Sequence, residues 1–267
     1  MEEVGFERDG SVVTVVLDGQ GQSAVDLADP SRLDFEYVQH LALCIEALAP
    51  AGPLRVTHVG GAGLTLPRWV QHTRPGSPQI VLEPDADLTE AVRRELPLPR
   101  GHRIRVRPVD GLAGVAGLRE ASADDVVLDA YAAGRVPAEL GTVEWFADVA
   151  RVLAPGGLLL ANVADEPGLR YAGRVAVGAR AAVGPVAFVA LHEVLKGKRF
   201  GNLVLVASPA LDLWTLRRAT ASSPLPTGVL AAGELERRLA GTRPFSSAAG
   251  EVAESPAPPE RGAWRRR

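Results

Sequence analysis

Cysteine is almost missing from this chain. Cys44 is the single one in 267 residues, which excludes an internal disulfide and any cysteine-built metal cage. Its apolar, helical neighbourhood places it in the core. Paired histidines are also lacking: His40, His58, His72, His102 and His192 show no ligand spacing, so no metal site is expected. His58 sits inside an apolar run and is expected to be a packed, satisfied histidine. There is no Ser-His-Asp nucleophile elbow and no phosphate-loop lysine motif, which leaves covalent hydrolysis and phosphoryl transfer unsupported. No run is long and uncharged enough to span a membrane, because the most apolar stretch, 171–191, carries Arg174 and Arg180 and is cut by Gly184-Pro185. Met1-Glu2-Glu3-Val4 lacks the basic and apolar regions of a signal peptide, so a cytoplasmic protein is expected. Neither sign of charge dominates. A formal charge of −3 provides no basic field, so no nucleic-acid and no membrane partner is expected. Arg265-Arg266-Arg267 reads as a solvated tail.

What is present is enough apolar residue, 46%, for one large α/β domain with a small appendage. Short β-type runs at Val4 to Glu7, Val12 to Leu17 and Gln22 to Val25, separated by Asp9-Gly10 and Asp18-Gly19, predict a small β-hairpin region over 1–30. Phe35, Val38, Leu41, Ile45 and Leu48 then fall at helical spacing, ended by Pro50 to Pro53. From Leu54 the pattern alternates strand and helix. Strands are expected at 54–59, 79–83, 102–107, 125–129, 157–163, 185–191 and 202–207, with helices at 64–73, 86–95, 142–153 and 167–182. That alternation predicts a mostly parallel sheet covered on both faces. The last two strands have only ten residues between them, too few for a crossover helix, so this pair should be antiparallel.

The fold class expected is therefore α/β: a seven-stranded, methyltransferase-like (Rossmann-like) sheet with an antiparallel final strand pair. Such a sheet suits a sulfonium nucleoside better than a dinucleotide. Trp214 and the apolar run Leu225 to Leu239 are expected to form a helix packed back on the sheet. The nucleoside-binding domain is placed at 31–245. Residues 246–267, rich in Ser, Ala, Pro, Glu and Arg, are expected to be a disordered tail.

The candidate site follows from strand ends. Gly60-Gly61-Ala62-Gly63 lies between a strand and a helix, the context in which clustered glycines let a backbone approach a ligand. Glu83 ends the next strand about twenty residues on, where a carboxylate accepts bonds from ribose hydroxyls. Asp110 closes the third strand in an acidic turn that could read a purine amino group or be plain turn chemistry. Asp129 ends the fourth strand at the carboxyl edge, where a carboxylate could orient an amine and take its proton, or cap the next loop. Asp165 and Glu166 end the fifth strand and are candidates for a second carboxylate facing the sulfonium, or else caps for the helix that follows.

In order, Leu17 to Ser23, Phe35 to Tyr37, Val59 to Gly63, Val81 to Glu83, Val109-Asp110, Val127 to Tyr131 and Leu153 to Gly157 resemble the spermidine synthase (polyamine aminopropyltransferase) family over roughly residues 10 to 210. The resemblance implies a role in polyamine biosynthesis on a class I S-adenosylmethionine-dependent methyltransferase fold, with no tightly bound cofactor. Decarboxylated S-adenosylmethionine or S-adenosylmethionine would be the cosubstrate and a small amine the partner, and a homodimer is left open. By the same resemblance Gln22 contacts the nucleoside, Glu83 the ribose and Asp110 the adenine. Gly60, Gly61 and Gly63 cradle the ligand, Asp129 helps deprotonate the attacking amine, and Tyr37 and Tyr131 face the amine substrate. Two positions depart from the family: Gly63 and Ala132 stand where acids that hold substrate ammonium groups are found. Three functions are therefore carried forward: an aminopropyltransferase, a methyltransferase on the same scaffold, and an inactive nucleoside-binding protein.

Overall fold

The computed structural model describes residues 4–17, 19–61 and 63–259. Three strands open the chain, β1 (Val4–Asp9), β2 (Val12–Leu17) and β3 (Gln20–Asp26), and pair antiparallel in that order. Gly10 turns the first hairpin at φ 59°, a conformation glycine adopts without a Cβ penalty. Val13, Val15 and Val25 pack from this small sheet onto Leu88 and Val92 of α3 (Ala86–Glu95) and onto Leu96 at its end. The sheet is thereby fixed against the main body.

The main sheet begins after α1 (Glu36–Leu48) and contains β4 (Val56–Val59), β5 (Gln79–Leu82), β6 (Ile104–Arg107), β7 (Ala123–Leu128), β8 (Leu153–Asp165), β9 (Val186–Leu191), β10 (Gly201–Ala207) and β11 (Thr227–Ala231). Its spatial order is β11-β9-β10-β8-β7-β4-β5-β6. Strands β6, β5, β4, β7 and β8 are parallel, and β10 is antiparallel to both β8 and β9. The expected mixed sheet with an antiparallel closing pair is therefore observed. The link between β9 and β10 holds a single turn of helix, α7 (His192–Leu195), too short to cross the sheet.

Helices cover both faces because the parallel strands are apolar on both sides. On one face α1, α2 (Thr65–Thr73) and α8 (Leu213–Ala221) bury Leu41, Ile45, Val70 and Leu216. On the other, α5 (Val143–Val152) and α6 (Arg170–Ala182) bury Trp145, Phe146, Val149 and Val175. Trp145 and Phe146 pack edge to face at 5.3 Å, a favourable arrangement of ring quadrupoles. Cys44 is buried. Among the described residues, no helix is long and apolar enough to cross a membrane.

Two sequence expectations change. The run Leu225 to Leu239 is not one helix. Thr227–Ala231 form β11 along the exposed edge of β9, and only Ala232–Leu239 are helical, as α9. Pairing β11 satisfies the edge backbone of β9, which a helix could not do. Among the described residues the main sheet consequently has eight strands rather than seven.

Disorder also does not describe residues 246–259; residues 260–267 lie outside the described residues. The Glu144 carboxylate at the start of α5 accepts bonds from the Ser246 hydroxyl (2.6 Å) and the Ser247 and Ala248 amides (3.0 and 3.2 Å). Arg174 pairs with Glu251 at 2.7 Å. Ser255 is fully buried, and its hydroxyl accepts the Val136 amide at 2.9 Å. Replacing Ser255 by Ala leaves that amide unsatisfied and should cost about 1–3 kcal/mol. Urea denaturation measures this, and unchanged stability would show that the segment is not docked.

Candidate active site

The carboxyl ends of β4, β5, β6 and β7 open into a cleft of about 280 Å³. Its position follows from the topology, because β4 is the strand from which the chain winds both ways: to β5 and β6 on one side and to β7 on the other. A crevice at this switch point is the usual ligand position of an open α/β sheet. Gly60 follows β4 with φ 80°, and Gly61 continues with φ 140°. A Cβ on Gly60 would lie 2.5 Å from the Asp129 carbonyl oxygen and 2.7 Å from Ala130 Cα. No larger residue fits there. The Gly60 amide donates to the Leu82 carbonyl and the Asp129 amide to the Val59 carbonyl, so the ends of β5, β4 and β7 are tied together.

Gln22, Tyr37, Gly60, Gly61, Glu83, Asp110, Asp129 and Tyr131 all line this cleft. Gly63 does not: its Cα is turned toward the small sheet, where a Cβ would meet Ser23 Oγ at 2.8 Å and Val15 Cγ2 at 3.0 Å. Ser23 in turn bonds Thr65 at 2.6 Å, whose hydroxyl donates to the Ala24 carbonyl. The end of the glycine turn thus anchors the small sheet to α2. Buried Arg68 reinforces it with a bond from its guanidinium to the Gly63 carbonyl at 3.4 Å.

Asp129 is half-buried at the cleft floor. Asn162 Nδ2, near the end of β8, donates to its Oδ1 at 2.9 Å. Burial raises the Asp129 pKa to about 6, and the Asn162 bond opposes that rise. Tyr131 donates to the Asn162 carbonyl at 3.4 Å. Burial and the neighbouring Asp129 charge hold both the Tyr37 and Tyr131 phenols well above their usual range, so both are protonated donors at neutral pH. On the other side of the cleft, Glu83 accepts the Asp85 amide at 3.1 Å. Burial raises its pKa, and the bond from the Asp85 amide counteracts this. Asp85 and Asp110 each accept an amide of the helix that follows, from Leu88 and Ala113 at 2.8 Å, as N-caps do.

No family model matches the chain. It is 24% identical to the polyamine aminopropyltransferase of Chromobacterium violaceum over 164 residues, 61% of this chain and 62% of that protein. The chain therefore spans less than two thirds of that relative. The crystal structure of a probable spermidine synthase from Corynebacterium glutamicum superposes with a TM-score of 0.84 at 28% identity, covering 92% of this chain and 93% of that one. By these comparisons the chain is similar to spermidine synthases and has a methyltransferase-like fold. A spermidine synthase in complex with the transition-state analogue AdoDATO shares the fold, with a TM-score of 0.59 at 15% identity over 91% of this chain and 85% of that chain.

Other residues of this cleft were not expected from the sequence. Asn162 lies within the apolar strand Leu158–Val163, where a lone buried amide is itself a signal that a polar partner must exist. Asp85 and Glu139 also line the cleft. Asp165 does not: it accepts the Glu166 and Ala172 amides at 2.8 Å and fixes the start of α6. His58 is buried against Gln79 at 2.9 Å, and burial depresses its pKa to about 4, which suits a neutral packed histidine.

The Asp129 shift has a stability consequence. Its carboxyl is neutral in folded and unfolded chains below about pH 4, and charged in both above about pH 6, so ionisation removes stability between these limits. The stability of Asp129→Asn relative to wild type should therefore rise with pH across this window and level off above it. Denaturant titrations at pH 4, 5, 6 and 7 measure this; a pH-independent difference would contradict the shift.

Proposed function

We propose that this chain transfers an aminopropyl group from decarboxylated S-adenosylmethionine to an amine acceptor. The observation that carries the reading is Asp129, a carboxylate held by Asn162 between two phenols in the same cleft as the glycine turn and Glu83. The resemblance to polyamine aminopropyltransferases over most of this chain supports it.

The nucleoside lies over Gly60-Gly61, with Glu83 accepting hydrogen bonds from the ribose hydroxyls, Asp110 on the adenine side and Gln22 contacting the nucleoside from β3. The sulfonium then sits near the end of β7, facing Asp129. The acceptor amine must be neutral to attack. A carboxylate with a pKa near 6 is ionised at neutral pH and can hold an amine N–H and take its proton. Tyr37 and Tyr131 wall the acceptor in and orient it. The amine lone pair forms a C–N bond to the carbon on sulfur, and the C–S bond breaks with its electrons going to sulfur. The amine proton passes to Asp129 and then to solvent. The products are the extended amine and neutral methylthioadenosine, so the donor's own positive charge supplies the leaving-group activation.

Incubation with decarboxylated S-adenosylmethionine and a panel of amines should release methylthioadenosine, measured by chromatography. No release with any amine from folded protein would overturn the reading. Asp129→Asn should lower kcat by about 10²–10⁴-fold while leaving methylthioadenosine affinity unchanged; a variant with wild-type kcat would remove Asp129 from the chemistry.

A further inference from the structure

Far from the cleft, β6 forms one edge of the main sheet and pairs with β5 alone among the described residues. The segment Arg103-Ile-Arg-Val-Arg107 alternates in character, and its two sets of side chains part. Ile104 and Val106 pack with Val81 of β5 and Val92 of α3. Successive strand residues face opposite ways, so Arg103, Arg105 and Arg107 stand on the other face, all three exposed.

That face is only partly covered because α4 (Gly111–Ala116) is short. Its six residues span about 9 Å, and Gly111 and Gly114 seat them on Val59 and Leu82 at the carboxyl ends of β4 and β5. Toward the amino ends a groove of about 580 Å³ remains, running from Thr57 and Ile80 to the open edge of β6. Among the described residues five arginines line it and no acid does: Arg55, Arg103, Arg105, Arg107 and Arg119. Asp124 pairs with Arg55. The other four make no ion pair among the described residues, in a chain whose formal charge is −3.

The backbone of this edge is also open. The Arg103 and Arg107 carbonyls accept the Gln79 and Glu83 amides of the β5 side at 3.0 and 3.1 Å. By alternation the Val106 amide points away from β5, toward solvent, and such an edge is a template for a further strand. Its arginines recur about 6.6 Å apart, the spacing of alternate residues in an added strand. Opposite charges facing each other across a ladder attract and like charges repel, so a second copy of β6 is a poor partner. Single-stranded nucleic acid matches the charge, but the groove offers no phenylalanine, tyrosine or tryptophan for bases to stack on.

We infer that the open edge of β6 docks an extended acidic segment of a partner protein as an added strand, its alternate acids facing Arg103, Arg105 and Arg107 and its backbone bonded to Val106. The groove shares no lining residue with the cleft, so this docking is independent of the transfer reading.

A fluorescent peptide of alternating aspartate and valine, titrated with the full chain and followed by anisotropy, tests the docking. It should bind saturably, more weakly as salt is added, and more tightly than an alternating lysine and valine peptide or an oligothymidylate of equal charge. Reversing two exposed charges, Arg105→Glu with Arg107→Glu, should lower its affinity at least about tenfold, and the milder Arg105→Ala with Arg107→Ala should fall between. Hydrogen exchange of the Val106 amide in the wild type should slow when the peptide is added. Absence of saturable binding, equal or tighter binding of the lysine peptide or the oligothymidylate, unchanged affinity in the variants, or unaltered Val106 exchange overturns the inference.

Discussion

The absence of a side chain at Gly60 is the constraint on which the site depends. The Asp129 carbonyl and the Ala130 Cα occupy the space that a Cβ would need, so β4 and β7 can end side by side, Val59 opposite Leu128. The chain then diverges, toward α2 from one strand and toward the 131–136 loop from the other. That divergence is the cleft. A bulkier residue would push the strand ends apart and move the Asp129 carboxylate from the glycine turn that would hold its substrate.

The same sheet geometry sorts the charges. Strands in parallel order present their following residues in a row along one edge, so acids after β5 and β6 cluster on one side and Asp129 stands apart. Acids close together raise one another's pKa, whereas an isolated one is governed by burial and local hydrogen bonds. Glu83 shows both influences and Asp129 only the second. Asn162 matters here because its amide donates to the ionised form of Asp129 and so limits how far burial can raise that pKa.

Much of this was legible in the sequence. Buried parallel strands read as apolar runs bounded by turns, and the short link between β9 and β10 required an antiparallel pair. Acids at the ends of such runs could be assigned to the carboxyl edge, which is where Glu83, Asp110 and Asp129 are found. What failed depended on register or on distant contacts. The short run Thr227–Ala231 has no periodicity that separates strand from helix, and its state is set by the open edge of β9. The 246–259 segment is held by Glu144, Arg174 and Val136, all more than seventy residues away, which composition cannot reveal. Asn162 meets Asp129 only because β8 pairs with β7 in one register. Gly63 was expected beside the ligand because spacing gives a loop's position but not the direction in which each residue faces.

The proposed reaction has Asp129 face a cationic aminopropyl donor and an amine, and adding a carboxylate to that donor is the simplest probe of it. S-adenosylmethionine differs from its decarboxylated form by one carboxylate, which would be brought beside the Asp129 charge. Calorimetry at pH 8 should therefore show clearly tighter binding of the decarboxylated form, with the difference reduced in Asp129→Asn. Equal affinity, or preference for S-adenosylmethionine, would contradict the account and point to methyl transfer instead.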